Sequence, residues 1–236
     1  MQMLMSRMRA AMQKYDMINE GDKIAVGVSG GKDSLALLYA LAELRRFYPV
    51  KYDITALSVD PRFNNEDGDF SGIETLCKEL QVEYIIKRTE LAHIIFEERK
   101  EKNPCSLCAR MRRGILHDMA KEAGCNKLAL GHHMDDAAET FMMNLLSGGT
   151  AESFRPVTYL SRKDMYVIRP MIFATEKEVS SAARKQELPV VKSRCPNDKE
   201  SERENVKNLL LTLEKTYPAV KEKIIGALQK GQISGW

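Results

Sequence analysis

The sequence predicts an α/β fold, a doubly wound parallel sheet of about five strands with helices on both faces, plus N-terminal and C-terminal helices. Short apolar runs alternate with longer helix-like segments, the pattern of parallel strands joined by crossover helices. A glycine-containing turn at 29–34 separates the first apolar run from a helix-like stretch, as at the ligand-binding edge of such sheets. The expected domains are an N-terminal helix at 1–22, the α/β domain at 23–200 and a helical tail at 201–236.

Periodicity and breaking residues indicate the order of the elements. Met8 and Met12 lie on an apolar stripe near the N-terminus, Pro49 stops the second helix, and Thr175 with Glu178 forms a capping-box pattern. Helices are predicted at 1–19, from the loop to about 47, from 71, at 90–104, from the cysteine pair to about 124, to about 146, from 175 and over most of 200–229. Strands are predicted at 23–28, 53–59, 82–86, 127–130 and 166–169.

The turn that follows the first predicted strand has the composition of an anion-binding loop. It consists of Ser29, Gly30, Gly31, Lys32, Asp33 and Ser34. Adjacent glycines let several backbone N–H groups point into one concavity, and the helix that follows adds the positive end of its dipole. The Walker A spacing is absent. The alternative is a plain turn in which Asp33 or Ser34 caps the helix.

A second polar cluster, at 131–136, follows the fourth predicted strand. It contains two histidines and the carboxylates Asp135 and Asp136. Adjacent histidines do not readily chelate one ion, so a His-bound zinc is disfavoured. A carboxylate here is better suited to the magnesium that accompanies ATP, or to moving a proton. One of the two aspartates is expected to cap its helix, which leaves the other as the better catalytic candidate.

Cysteines form the third candidate site. Cys105 and Cys108 form a C-x-x-C at the start of a helix that carries three arginines in its first turns, and both features favour thiolate. Cys195 is a plausible third ligand, and three cysteines suit a four-iron cluster with one open corner. A pair of buried thiols is the alternative. Cys77 and Cys125 are expected to be structural.

Composition restricts the setting of the protein. The chain of 236 residues has a net charge of only +3, which does not by itself demand a nucleic-acid partner. Basic residues nevertheless gather around the candidate sites and suggest a phosphate-backbone surface. They are Arg110, Arg112, Arg113, Arg155, Arg162, Lys163, Arg169, Lys192 and Arg194. No apolar stretch is long enough for a membrane span and no secretory signal is recognised, so we expect a cytoplasmic protein without a membrane partner.

The loop at 29–34 resembles the SGGxDS loop of the PP-loop N-type ATP pyrophosphatases, which release pyrophosphate while adenylating a substrate. The stretches at 15–22, 105–114 and 131–136, with Arg169-Pro170, are similar to the tRNA 2-thiocytidine synthetase family. The resemblance covers about residues 5–200. It implies a tRNA sulfurtransferase that needs ATP, Mg²⁺ and a [4Fe-4S] cluster.

The resemblance also implies roles for individual residues. The loop residues 29–34 would hold the ATP phosphates, and backbone near Leu57, Ser58 and Val59, with Gly131, would receive the adenosine. Asp136, with Asp135 as second choice, and Lys32 would serve adenylation or magnesium. The expected cluster ligands are Cys105, Cys108 and Cys195. The family often has Pro-Cys-x-x-Cys near the third ligand, whereas here Cys195 stands alone.

The implied reaction makes chemical sense. Adenylation turns the C2 oxygen of a pyrimidine, a poor leaving group, into AMP, which a positioned sulfide then displaces. The expected partners are tRNA and a sulfur donor, either a cysteine-desulfurase-type protein or inorganic sulfide, and the apolar N-terminal helix allows a homodimer. The alternatives are another PP-loop enzyme, such as a lysidine synthetase or an amide-forming synthetase, and a non-catalytic nucleotide- or cluster-binding regulator.

Overall fold

The computed structural model describes residues 1–99, 104–192, 194–195 and 202–236. Six strands form one sheet in the order β3-β2-β1-β4-β6-β5. They are β1 (Asp22–Gly27), β2 (Tyr52–Asp60), β3 (Glu83–Arg88), β4 (Lys127–Ala129), β5 (Val157–Leu160) and β6 (Met165–Ile168). Every neighbouring pair is parallel except β5 with β6.

The longer helices surround this sheet. They are α1 (Gln2–Lys14), α2 (Lys32–Leu44), α3 (Ser71–Glu79), α5 (Pro104–Glu122), α6 (Met134–Gly148), α7 (Glu176–Lys185), α8 (Glu202–Thr216) and α9 (Val220–Lys230). Between β3 and α5 a single turn, α4 (Leu91–His93), continues into a π-helical turn at Ile94–Glu98. Short 3₁₀ turns lie at Phe63–Asn65 and Ile233–Gly235. No helix in the described ranges has both the length and the apolarity to cross a membrane.

Alternation along β1 divides the interior into two layers. Ile24 and Val26 belong to the layer on one face, with residues of α1, α2, α3, α7 and α9, whereas Ala25 belongs to the layer beneath α4 and α5. Successive strand residues point to opposite faces, and both faces are covered, so β1 is apolar throughout its buried centre.

The strand order creates the expected binding crevice. Within the sheet, β2 is the neighbour of β1 on one side and β4 is its neighbour on the other side, so the strand order reverses at β1. A ligand in an open α/β sheet binds beyond the carboxyl ends of the strands at this reversal. The loop after β1 and the residues after β4 meet there.

The predicted fold class and all five predicted strands are confirmed. The prediction missed β5, a short antiparallel edge strand that pairs with β6. The single helix expected over most of 200–229 is wrong, because Pro218 interrupts it and two helices form. The helix expected at 90–104 is replaced by α4 and the π turn, and residues 100–103 lie outside the described residues. The three-part domain division stays a prediction.

Candidate active site at the switch point

The loop between β1 and α2 is closed by its own two serines. The Ser29 backbone N–H donates to the Ser34 hydroxyl oxygen at 3.1 Å, and the Ser34 hydroxyl donates to the Gly31 carbonyl at 2.9 Å. Gly30 has φ +86°, a conformation that favours glycine. Gly31 is the N-cap of α2 and no side chain caps this helix, so the alternative of an Asp33 or Ser34 cap is wrong. The N–H groups of the first turn remain for an anion.

A cavity of about 370 Å³ lies directly beside this loop. Ser29, Asp33 and Ser34 form one part of its wall, and residues of β2 and of the β4 end form others. The remaining wall is the face of α5 that carries Arg112 and Arg113. The cavity therefore joins the phosphate-type loop to the helix that begins at the cysteine pair.

Gly131 fixes the approach of the β4 end to the loop. A Cβ added at Gly131 would lie 3.1 Å from the backbone carbonyl carbon and oxygen of Asp33 and from the backbone nitrogen of Ser34. Only a residue without a side chain allows two backbones to lie this close. Gly131 thus holds the loop and the 131–136 segment together.

His133, not an aspartate, is the cap of α6. Its ring Nδ1 accepts from the Asp136 backbone N–H at 3.4 Å, and its own backbone N–H donates to Asp136 Oδ2 at 2.9 Å. The side chain of Asp136 also faces the cavity. The expectation that an aspartate is the N-cap is therefore wrong; Asp136 takes part in the capping box and also faces the cavity, and the choice of catalytic aspartate stays a prediction. Sequence reasoning missed the cap because histidine is not a preferred capping residue.

Asp135 has a different environment from Asp136. Its carboxylate accepts from the Glu176 backbone N–H at 2.6 Å and from Lys221 Nζ at 2.6 Å, and it is buried. Asp135 is absent from the cavity wall. Asp135 joins α6 to the start of α7 and to α9.

Lys32 lies beside the loop but outside the cavity wall. Its Nζ pairs with Asp33 at 2.9 Å and with Glu176 at 3.3 Å, and Glu176 also pairs with Lys207 of α8 at 2.9 Å. Burial opposes the charge of Lys32, but these two carboxylates raise the pKa of its ammonium. Burial likewise raises the pKa of Glu176, but Lys207 and Lys32 lower it overall.

α8 also reaches Asp136. Arg203 Nη1 lies 3.2 Å from Asp136 Oδ1 and 3.3 Å from Glu139 Oε2. Burial and the neighbouring Asp136 raise the pKa of Glu139. Three cations of the C-terminal helices were not predicted as site residues: Arg203, Lys207 and Lys221. No local motif marks them, because Arg203 is 64 positions from Glu139, Lys207 is 31 from Glu176 and Lys221 is 86 from Asp135.

A buried cation, Arg169, contacts His132 of the cavity wall. Arg169, at the end of β6, donates from Nε to His132 Nδ1 at 3.2 Å, and its guanidinium carbon lies 4.9 Å from the Phe154 ring centroid. Burial, and then Arg113, lower the pKa of Arg169 to about 10. His132 lines the cavity and stacks on Phe154 at 4.9 Å between centroids.

Two of the candidate cluster cysteines lie at the start of α5, and the third, Cys195, interacts with one of them, Cys108. Cys105 and Cys108 stand in the first turns of α5, Cys105 exposed and Cys108 partly buried. Burial raises the pKa of the Cys108 thiol, Arg112 lowers it, and Cys195 and Cys105 raise it further. Among the described residues no three Cys, His, Asp or Glu side chains are already arranged as a metal site. Cys77 and Cys125 are buried in the core, as expected.

Seven of the predicted site residues line the cavity. They are Ser29, Asp33, Ser34, Leu57, Val59, Gly131 and Asp136. Ser58 turns away, because its hydroxyl donates to the Val28 carbonyl at 2.7 Å and accepts from Tyr84 at 2.8 Å. Gly30 lies against the segment that leads to Cys195, since its carbonyl accepts from the Val191 N–H at 3.0 Å. The roles given to all these residues stay predictions.

Comparison with known proteins identifies the class of protein to which this fold and this loop belong. The family model of the PP-loop domain matches residues 3–214. Two curated relatives, from Citrifermentans bemidjiense and Geobacter sulfurreducens, are both named tRNA-cytidine(32) 2-sulfurtransferase and are 39% identical over 226 and 221 residues. The first match covers 94% of this chain and 88% of the relative, and the second 92% and 85%.

A solved structure gives the same result. The U34-tRNA thiolase NcsA from Methanococcus maripaludis, determined with its [4Fe-4S] cluster, superposes with a TM-score of 0.77 at 29% identity. The superposition covers 95% of this chain and 77% of that one. The chain therefore belongs to the PP-loop family of ATP pyrophosphatases, and within it to the family of the tRNA-cytidine 2-sulfurtransferases.

Proposed function

We propose that this protein uses ATP to adenylate the C2 oxygen of a cytidine in tRNA and then replaces that oxygen with sulfur, releasing AMP and pyrophosphate. The observation that carries the proposal is the shared cavity, in which a phosphate-type loop and Asp136 face a helix that begins with Cys105 and Cys108. Relatives 39% identical over most of the chain have this activity in their name. The residues of the activating half therefore line the cavity, and the two cysteines lie at the start of the helix that forms its opposite wall.

The activating half uses the loop and its surroundings. Backbone N–H groups at the start of α2 are suited to the phosphates of ATP, and the apolar Leu57 and Val59 line the cavity where an adenine would lie. Asp136 is suited to Mg²⁺, since carboxylate oxygen is a preferred ligand of that ion. The Lys32 ammonium pairs with Asp33, a residue of the cavity wall, and its positive charge is suited to the outer phosphates of ATP. Binding both reactants in one geometry lowers the entropic part of the barrier.

The sulfur half uses the cysteines. The donor set is chemically suited to a [4Fe-4S] group, because thiolates are its usual ligands and Cys108 interacts with both Cys105 and Cys195; burial raises the pKa of Cys108, and Arg112 opposes this. Cys105, Cys108 and Cys195 would hold it. When bound, the group supplies an open iron site at which sulfide can be carried.

Two further parts of the proposal concern partners. The substrate tRNA would contact the basic residues around the cavity mouth, such as the exposed Arg110 and Arg113 on α5. Sulfur would come from a cysteine-desulfurase-type donor or from inorganic sulfide. A homodimer and a cytoplasmic location complete the proposal.

The test is anaerobic turnover of the cluster-loaded protein with unmodified tRNA, Mg·ATP and sulfide. We expect pyrophosphate release that depends on tRNA, and 2-thiocytidine in the nucleoside digest by mass spectrometry. Cys105→Ala should abolish 2-thiocytidine, and the matched control Cys77→Ala, in the core, should retain it.

Three results would contradict this function. Pyrophosphate release with lysine or ammonia incorporated into product would indicate another PP-loop synthetase. Nucleotide binding without pyrophosphate release on any tRNA would indicate a regulator. A Cys105→Ala protein that still makes 2-thiocytidine would remove the cysteines from the reaction.

A further inference from the structure

The imidazole ring of His132 has one nitrogen, Nδ1, that is hydrogen-bonded to protein, and a second nitrogen, Nε2. Arg169 Nε donates to Nδ1 at 3.2 Å. A guanidinium has no acceptor atom, so Nδ1 must accept and carries no proton. The neutral imidazole is therefore fixed as the Nε2–H tautomer.

Arg169 cannot easily turn away from this contact. It is only 9% exposed, and its Nη1 donates to the Arg155 carbonyl at 2.6 Å and to Thr158 Oγ1 at 3.3 Å. The Phe154 ring packs against both side chains of this hydrogen bond, since it lies against the Arg169 guanidinium and stacks on the His132 imidazole. The tautomer is thus set by a rigid second layer of side chains.

The imidazole also stays neutral. Burial, and then the positive charges of Arg169 and Arg203, lower the pKa of His132 to about 3, and His133 and Arg113 act in the same direction. These groups come from the end of β6, from α8, from α5 and from the residue next in the chain. At neutral pH the ring keeps its one proton, on Nε2.

Nε2 is the nitrogen available to the cavity. It has no hydrogen-bond partner within the described part of the chain, while the ring itself lines the cavity wall. The neighbouring Gly131 lies against the Asp33–Ser34 backbone, so His132 stands next to the phosphate-type loop. An N–H that faces a polar cavity without a partner is suited to an acceptor oxygen of a ligand.

We propose that His132 binds substrate as a fixed, uncharged hydrogen-bond donor, with Nε2–H directed at an acceptor oxygen where the activated base and the nucleotide meet. The oxygen belongs to a phosphate of the nucleotide, which gains negative charge during adenylation, or is the O2 of the pyrimidine, which gains it when sulfide displaces AMP from C2. A preoriented donor at such an oxygen lowers the barrier. This inference rests on the proposed function.

Two amide substitutions separate the donor from the ring. In His132→Gln the side-chain amide reaches the position of Nε2, whereas in His132→Asn it reaches only that of Nδ1. Both remove the ring that stacks on Phe154, and only His132→Asn keeps an acceptor where Arg169 donates, so a purely structural role would harm His132→Gln at least as much as His132→Asn. We expect His132→Gln to keep kcat/KM for tRNA-dependent 2-thiocytidine formation within about threefold, and His132→Asn to lose about a hundredfold, the usual loss for one such donor.

Binding of a non-hydrolysable ATP analogue to the cluster-loaded protein distinguishes the two oxygens. If the acceptor is on the nucleotide, His132→Asn should weaken analogue binding about tenfold relative to His132→Gln, ~1.4 kcal/mol. If the acceptor is the base, analogue binding should be unchanged and only the tRNA-dependent step should slow. Equal losses in both variants in both assays would overturn the proposal.

Nitrogen-15 NMR of the wild-type imidazoles reads the tautomer without any substitution, and the chain has only 4 histidines. We expect a neutral Nε2–H ring at position 132 that does not titrate between pH 5 and 8. An Nδ1–H ring, or a titration in that range, would overturn the inference even if a variant failed to fold. Failure of the proposed function alone would look different, since wild-type protein would then make no 2-thiocytidine while the tautomer and the analogue-binding difference persisted.

Discussion

Asp135 and Asp136 are adjacent in sequence, but their carboxylates have different partners. Asp135 is buried against Lys221 and the start of α7, while Asp136 completes the capping box of α6, meets Arg203 and faces the cavity. Adjacent residues at a helix start point about 100° apart, so one can face inward and the other toward a ligand. Asp136 is consequently the carboxylate of this pair that a nucleotide in the cavity can meet.

Gly131 gives a residue-scale prediction. In Gly131→Ala the new Cβ would stand 3.1 Å from the Asp33 and Ser34 backbone, so the loop must shift by a few tenths of an ångström. We expect the KM for ATP to rise about tenfold, ~1.4 kcal/mol, with a smaller change in global stability. Initial rates of pyrophosphate release against ATP concentration measure it.

The matched control is Gly114→Ala on α5. Nothing lies within 4 Å of a Cβ added there, and Gly114 is within a helix, where alanine is favoured by about 0.5–1 kcal/mol. This variant should keep the KM for ATP and unfold at slightly higher urea concentration. An unchanged KM in Gly131→Ala would show that the loop does not need this close contact.

At the site, local motifs could be predicted and distant partners could not. The glycine loop and the 131–136 segment each combine their residues within six positions, so spacing alone marks them. The contacts of His132 with Arg169, and of Asp136 with Arg203, join residues 37 and 67 positions apart. Such contacts depend on how β6 and α8 pack, which a single sequence does not encode in any local pattern.

At the scale of elements, α8 and α9 supply cations to acidic groups on other helices. Arg203 meets Asp136 and Glu139, Lys207 meets Glu176, and Lys221 meets Asp135. Asp135 and Glu139 are buried carboxylates, which are costly to leave unpaired. The cations of α8 and α9 therefore neutralise the carboxylates that lie beneath the site.

Lys221 gives a prediction at this scale. The Lys221–Asp135 pair is 2.6 Å long with side chains 12% and 9% exposed, so Lys221→Met leaves a buried carboxylate without its cation. We expect a loss of about 3 kcal/mol in the free energy of unfolding, measured by urea denaturation. Lys223→Met, at an exposed position of the same helix, is the control and should change stability by less than about 0.5 kcal/mol. Equal stability of the two variants would mean that Asp135 does not depend on the pair.

The elements themselves were largely predictable, for physical reasons that also explain the failures. Buried parallel strands are continuous apolar runs, so β1 and β4 stand out. β5 is a four-residue, partly exposed edge strand that its hairpin partner stabilises, and its own pattern is weak. Pro218 separates α8 from α9, but the same amphipathic, charged pattern continues on both sides of it and favours one long helix.

At the scale of the whole molecule, the strand order decides where charge and chemistry meet. Both the loop after β1 and the segment after β4 lie at the carboxyl edge of the sheet, and α5 covers that edge with Arg112 and Arg113. Arg110 shares a helix face with Arg113 and is exposed beyond the cavity. A polyanion entering the cavity would pass this face.

Arg110 gives a whole-molecule prediction for tRNA binding. We expect Arg110→Ala to weaken tRNA affinity and to lower the slope of log affinity against log salt by about one, the effect of losing one phosphate contact. Filter binding over a salt series measures it. Lys51→Ala, just before β2 at the opposite edge of the sheet, is the control and should leave the slope unchanged. The same slope in both variants would exclude this face of α5 from the tRNA contact.

The cations of α8 and α9 also have a consequence for synthesis. A chain is made from its N-terminus and domains fold as residues emerge, so Asp135, Glu139 and Glu176 leave the ribosome before Arg203, Lys207 and Lys221. Until the last helices arrive, the buried carboxylates of α6 lack their neutralising charges. The sheet can assemble before α8 and α9 are made, but the acidic groups of the site gain their neutralising cations only when both helices have formed.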